Sequence, residues 1–444
     1  MTTDSKTKTS EAGDDAARID YKVPPAVFIP TLYFMEGLPY TIVNMMSVVF
    51  YKNLGASNEF IGALSWLSFA WTLKFLWAPL IDLYGSRRGW IVVSQLVLSV
   101  MCALLAGSAF LPDSIALSVG ALALIALASA TQDVAIDGYY MDVLNKEKQA
   151  VYVGVRNAIY KIAMLFGQGP LVMLAGHIAK GRNENYSVGW AVAFSACCAL
   201  FLLFGFLHLF ILPRVAGNKV EDSPEKLNFS DGLKRFASVV KTFLDQEKIG
   251  IICLYIFIFR FGDALMLKMT MPFLLDPRAK GGLGLTTEDV GFIYGTVGPV
   301  FLLLGGLLGG YLVAKFSLKK TLLPTALIQS GALPLYWALA YFRPVEHFWI
   351  LTVNSFEQFS YGLGVAAYTV FLLSVVKPEY KAAHYAIATA IMALGLIVPG
   401  YMSGYMTTWL GYPNFFLVSF LASIPGLITI FFLPIKSEEE KPAS

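Results

Sequence analysis

Apolar runs of about twenty residues or more recur from residue 25 to residue 434, and ionisable side chains gather mainly in the short segments between them. A helix of about 20 apolar residues crosses the hydrocarbon layer of a bilayer. In that layer only a structure that bonds its own backbone groups is tolerated. Reading each run as one helix predicts spans near 25–51, 58–83, 90–111, 115–141, 151–179, 189–212, 249–275, 289–314, 321–342, 347–376, 383–410 and 412–434. Composition agrees, with 57% hydrophobic and 14% charged residues, where a soluble domain carries about 25% charged. The expected fold class is an all-α integral membrane protein with 12 transmembrane helices. Several runs are long enough to require tilt.

Lysine and arginine alternate between the connecting segments. The amino tail, Arg87/Arg88, Lys146/Lys148, the stretch Arg214 to Lys248, Lys315/Lys319/Lys320, Lys377/Lys381 and the carboxyl tail hold 22 basic residues, against 6 in the opposite set. The positive-inside bias then places both termini in the cytoplasm of a multi-pass plasma membrane protein. The first 22 residues are polar and lack an apolar core followed by a cleavage site, so an uncleaved first helix is expected. The longest polar segment divides the chain. The expected organisation is a cytoplasmic tail at 1–24, a six-helix bundle at 25–212, a cytoplasmic central loop at 213–248, a six-helix bundle at 249–434 and a cytoplasmic tail at 435–444. Within the central loop, Phe229 to Leu244 has the spacing either of a short surface helix or of an ordinary connector.

The two halves look duplicated. Glu36 precedes Asn58-Glu59-Phe60-Ile61-Gly62 by nearly the same interval as Asp263 precedes Thr287-Glu288-Asp289-Val290-Gly291, and Arg87/Arg88 correspond to Lys319/Lys320. Such pseudo-symmetric repeats are a hallmark of transporters. Between the second and third spans stands Pro79-Leu80-Ile81-Asp82-Leu83-Tyr84-Gly85-Ser86-Arg87-Arg88. An acid at a helix end, a glycine three residues on and two arginines beyond resemble the loop signature of the major facilitator superfamily, which implies a fold of two pseudo-symmetric six-helix bundles. Asp82, Arg87 and Arg88 are the expected gating residues, although Ala314 stands where the second half would repeat Asp82. A narrower resemblance rests on Glu36-Gly37-Leu38-Pro39, on Thr72 to Asp82, and on Ser129 to Tyr139. These stretches are similar to the AmpG-like muropeptide permease branch, related to the acetyl-coenzyme A transporter family and to some siderophore permeases. The resemblance implies proton-coupled import of peptidoglycan-derived anhydromuropeptides across a bacterial inner membrane for peptidoglycan recycling. The stretch Gly138-Tyr139-Tyr140-Met141-Asp142 departs from the branch pattern and leaves simpler amino-sugar fragments open as ligands.

Ionisable groups inside spans are costly and therefore candidates for function. Glu36, Arg260, Asp263 and Glu357 fall near mid-span, and the superfamily resemblance, in whose fold the first, fourth, seventh and tenth helices line a central cavity, implies that they face it. Glu36, Glu357 and Asp263 are the expected proton-coupling residues, with Glu36 foremost because no basic residue lies within a turn of it. Arg260 offers a fork of donors to a carboxylate. With Tyr33, Tyr40, Tyr139, Tyr361 and Lys268 it forms the expected substrate-binding set. Lys74, Asp133, Asp137, Arg156 and Lys161 form an expected buried ion network. The four histidines have no ligand spacing, the four cysteines lie in apolar stretches, and neither metal nor cofactor is expected.

A net charge of +3 spread over loops gives nucleic acid no footprint. No phosphate-cradling G-x-x-x-x-G-K-[ST] occurs, nor H-E-x-x-H nor G-x-S-x-G, which disfavours an ATP-driven pump and a membrane enzyme. The expected function is a monomeric secondary transporter that takes protons and an anionic glycopeptide or amino sugar through the bilayer by alternating access. A siderophore or acetyl-coenzyme A carrier, or a sensor, is the alternative.

Overall fold

The computed structural model describes residues 23–111, 115–214, 238, 240–377 and 381–435, without the side chains of residues 82, 83, 146 and 381–383. The central loop, including most of Phe229 to Leu244, and nearly all of both tails lie outside the described residues. Within them the chain is helical and no strand occurs.

We label the helical segments α1 (Pro25–Asn53), α2 (58–83), α3 (Arg87–Ser108), α4 (Ile115–Val143), α5 (146–180), α6 (Tyr186–Ile211), α7 (Ile249–Leu275), α8 (Thr287–Phe316), α9 (Leu318–Phe342), α10 (His347–Ser374), α11 (381–410) and α12 (412–430). Among the described residues nine helices are long and apolar enough to cross a membrane, with α11 and α12 counted as one. The pair runs on through Pro399, and its bend is at Gly411, whose φ of 72° suits a residue without Cβ.

Helix irregularities take two forms. Near Pro39, Pro170 and Pro299 the chain stays helical and absorbs the lost backbone donor in π-helical turns, Ile42–Met46, Gly167–Leu171 and Ile293–Val297. By contrast α2, expected as one regular span, is five short pieces, two of them 3₁₀ turns. Pro79, which cannot donate and crowds the preceding turn, accounts for the last of these breaks. Segment α7 is interrupted at Arg260, between Ile249–Ile258 and Phe261–Leu275. The fifth span begins earlier than expected because Asn145 caps it, its side chain accepting from the Lys148 amide at 3.0 Å.

Three apolar clusters describe the shape. One is confined to the first half, around Phe28, Ile136, Tyr139 and Leu212, and one to the second half, around Tyr255, Phe259, Tyr368 and Phe371. The third draws on both halves, joining Met46, Phe50 and Trp190 to Met269, Phe273 and Phe416. Helix contacts between the halves fall at that same end: residues 47–68 meet α7 and α11, and residues 167–180 meet residues 287–297. The duplicated openings of α2 and α8 lie there, each capped by its preceding hydroxyl, Ser57 and Thr286. Glycine makes the approach possible. A Cβ on Gly404 would sit 2.1 Å from the Asn58 carbonyl oxygen, and one on Gly176 would sit 2.6 Å from the Glu288 amide nitrogen.

Candidate functional site

Two adjoining cavities lie between the halves. The larger, about 630 Å³, is lined by Tyr40, Lys161, Gln168, Arg260, Tyr294, Gln358 and Tyr361, among others. The smaller, about 310 Å³, includes Asn44, Trp71 and Lys268 and shares Tyr40, Met45, Leu267, Met392 and Leu396 with the first. Ser65 and Gly400, which belong to the closed end, also line the smaller cavity, and a Cβ on Gly400 would lie 2.6 Å from the Ser65 hydroxyl. Among the described residues three cations line this space and no carboxylate does.

Arg260 is positioned by the break in α7. It is 8% exposed, and its guanidinium carbon lies 5.1 Å from the centre of the Tyr361 ring. One terminal nitrogen lies 3.8 Å from Met392 Sδ, and its buried Nε has no hydrogen-bond partner among the described residues. Tyr40 and Trp71 pack in a T-shaped pair with ring centres 5.2 Å apart.

Behind the cavity, each half carries its own polar cluster. In the first half Lys74 Nζ donates to Asp133 Oδ2 at 2.6 Å, and Arg156 meets Asp137 Oδ1 at 3.3 Å. Tyr33 donates to the same Asp137 oxygen at 3.1 Å, and Arg156 lies 5.0 Å over its ring. Glu36 turns its carboxyl toward Asp133, with Oε2 buried and unpartnered among the described residues. In the second half the carboxylates are met by amides. Gln329 donates to Asp263 Oδ2 at 2.5 Å, and Gln358 to Glu357 Oε2 at 2.8 Å.

Several expectations are corrected by this geometry. Of the four mid-span ions expected to face the cavity, Arg260 does so, whereas Glu36, Asp263 and Glu357 are buried and absent from its lining, Asp263 meeting Gln329 of another helix and Glu357 the adjacent Gln358. Lys161 is not in the ion network; it lines the larger cavity, and no carboxylate pairs with it among the described residues. Tyr33 belongs to the ion network rather than to the cavity lining. Tyr139 is buried and donates to the Pro213 carbonyl at 2.9 Å, so it anchors the end of α6. Tyr40, Tyr361, Arg260 and Lys268 do line the cavities. His208, in the last turn of α6, is fully buried between Gln95 and Thr31. Arg87 bonds to Asp142 and to the Gly138 carbonyl, and Arg88 to the Leu209 carbonyl, all within the first half. The side chain of Asp82 lies outside the described residues.

One group was missed. At the closed end Lys52 and Asp276, from opposite halves, form an ion pair of 2.6 Å with side chains 7% and 11% exposed. Tyr412 donates to Asp276 Oδ2 at 2.6 Å, and Asn58 accepts from Lys52 at 3.0 Å and donates to Tyr412 at 3.2 Å. In the sequence Lys52 is simply one of the 6 basic residues on the sparsely charged side, and nothing local announces its partner more than two hundred positions away.

A paired-bundle helical fold closed at one end over a cation-lined cavity defines a class of membrane carrier. The family model of the Major Facilitator Superfamily matches residues 31–298 and 256–444, and the chain belongs to that family. It is similar to the anhydromuropeptide permease of Escherichia coli K12, 26% identical over 92% of this chain and 80% of that protein. An uncharacterized protein of Haemophilus influenzae is 29% identical over 93% of this chain and 95% of its own length. Among solved structures, the inward open conformation of the xylose transporter XylE from E. coli superposes with a TM-score of 0.66 at 14% identity, covering 93% and 96% of the two chains.

Proposed function

We propose that this protein is a proton-driven secondary transporter that imports peptidoglycan-derived anhydromuropeptides, or related amino-sugar fragments, across a bacterial inner membrane. The observation that carries the reading is the similarity to an anhydromuropeptide permease along nearly the whole chain. The cavity supplies chemistry that suits such a ligand. Tyr40, Trp71 and Tyr361 offer ring faces to sugar, and Arg260 offers a fork of donors to a carboxylate.

In this reading all twelve helical segments cross the bilayer as two six-helix bundles, 25–212 and 249–434, with both termini in the cytoplasm. The closed end then faces the periplasm and the cavity is open inward. The Lys52–Asp276 pair, drawn from opposite halves, is the periplasmic latch, and the Asp82-Arg87-Arg88 loop holds the cytoplasmic side when the carrier faces outward. Coupling belongs to the first-half cluster. Glu36, Asp133 and Asp137 outnumber Lys74 and Arg156, so one carboxyl is left over to take up a proton and give it back as water reaches it from alternate sides. Glu36, which has no cation of its own, fills that role, and Glu357 and Asp263 are the secondary candidates.

The decisive experiment is uptake into proteoliposomes under an imposed proton gradient. Labelled anhydromuropeptide, acetyl-coenzyme A and a ferric siderophore are compared in one preparation. Accumulation of the muropeptide alone, abolished by a protonophore, is expected; accumulation of either other compound, or gradient-independent uptake, overturns the assignment.

A further inference from the structure

Lys161 on α5 and the pair Arg260 and Lys268 on α7 reach one continuous space from opposite halves of the molecule. Cations inside a membrane protein ordinarily stand beside carboxylates. Lys161 and Lys268 have no carboxylate partner among the described residues, and Arg260, although Asp263 stands near it, forms no salt bridge there and has an unpartnered buried Nε. The nearby acids are already held elsewhere, Asp263 by Gln329 and Glu357 by Gln358. In the first half Asp133 and Asp137 are held by Lys74 and Arg156. The polar remainder of the lining, Gln168, Gln358, Asn44 and the tyrosines, is neutral.

We propose that Lys161, Arg260 and Lys268 together form a subsite for the carboxylates of an acidic peptide stem, and that this carrier ranks its substrates by how many carboxylates they present. The proposal rests on the reading of this cavity as the substrate site. Three unpaired positive charges in one confined space favour a ligand that brings several negative charges, because each charge-assisted bond made there replaces water on a group with no protein partner. A stem long enough to reach both α5 and α7 also bridges the halves. Binding of a polycarboxylate therefore draws them together on the open side, whereas a ligand with one carboxylate neutralises one half and leaves the other unanswered. Lys161 is the specificity-determining member. It alone comes from the first half, and as a flexible ammonium it follows stems of different length.

The test uses the full chain in proteoliposomes and three competitors sharing one disaccharide: N-acetylglucosaminyl-anhydro-N-acetylmuramyl tripeptide, the same compound with its stem carboxyls amidated, and the peptide-free disaccharide. The free-acid tripeptide is expected to compete about tenfold or more better than its amide, the ratio that a lost charge-assisted bond produces. Lys161→Gln should shrink that ratio toward one, and Lys161→Arg should restore most of it. Equal competition by acid and amide in the parent overturns the subsite while leaving muropeptide transport standing. If none of the compounds is transported, the transport reading fails by itself. The subsite is then judged on the detergent-purified protein: stabilisation against heat by the free-acid tripeptide but not its amide, lost in Lys161→Gln, supports it, and identical melting with both overturns it.

Discussion

The two halves bury carboxyl groups at comparable places and treat them differently. In the first half Asp133 and Asp137 are answered by the cations Lys74 and Arg156, with Glu36 alongside, and the remaining cation Lys161 lines the cavity. In the second half Asp263 and Glu357 are answered by the amides of Gln329 and Gln358, and the cation Arg260 is free to face the cavity. An amide bonds a carboxyl whether or not the carboxyl carries a proton, because it can both donate and accept. A lysine cannot. The ion-paired cluster is therefore built to register a change of charge, whereas the amide-bonded acids of the second half hold their places in either protonation state.

The largest expected effect comes from removing charge in the ion-paired half. Glu36→Gln should abolish proton-driven accumulation while exchange of substrate across the membrane persists, and Glu357→Gln should lower accumulation only partly. Counterflow and gradient-driven uptake in the same vesicles separate the two. If Glu36→Gln accumulates substrate with unchanged dependence on external pH, the division of labour between the halves is wrong.

Breaking one partner of the Lys74–Asp133 pair comes next. Lys74→Met leaves Asp133 without its cation, and removing one member of a buried pair costs about 3–5 kcal/mol. Lys74 is one-third exposed, so a loss below that range is expected, and Lys74→Met with Asp133→Asn should recover most of the melting temperature. The matching change in the other half, Gln329→Leu, is smaller because it removes a bond rather than a charge, about 1–3 kcal/mol.

Arg260→Lys keeps the charge and loses the fork, so about a tenfold weaker apparent affinity for muropeptide is expected, near 1.4 kcal/mol. Asp263→Asn, whose partner is Gln329, should change affinity much less. If Asp263→Asn weakens binding as much as Arg260→Lys does, the cation and the acid act as a pair and Arg260 is not reserved for ligand.

The smallest effect is expected at the closed end, where a third arrangement pairs a cation of one half with an acid of the other. Asp276→Asn keeps the hydrogen bond from Tyr412 within reach but removes the ion pair. Distances between spin labels on the two halves at that end should broaden toward the open state. Unchanged distance distributions would show that the glycine contacts at Gly404 and Gly176 hold the end shut without the latch.

Most of the architecture was legible because its cause is local. Apolar runs, the basic loops between them and the duplicated Asn58 and Thr287 openings each lie within a short window of sequence. The prolines Pro39, Pro170 and Pro299 stand in the sequence, but the form of the turns beside them does not follow from it. Pro170 leaves α5 helical through a π turn, whereas α2 is divided into short pieces.

For the site, the sequence by itself determined which residues carry charge inside the membrane and at roughly what depth. Which way each points was decided by the tertiary structure. On an unbroken helix Arg260 and Asp263, three residues apart, would lie within about 60° of each other, and it is the interruption of α7 at Arg260 that accompanies one facing the cavity and the other Gln329. Lys161 could not be told from Arg156 by spacing, since both stand on α5 among apolar neighbours, yet one meets Asp137 and the other meets open space. Charge burial is settled by whatever partner another helix brings, and for Lys52 and Asp276 that partner comes from the other half of the chain.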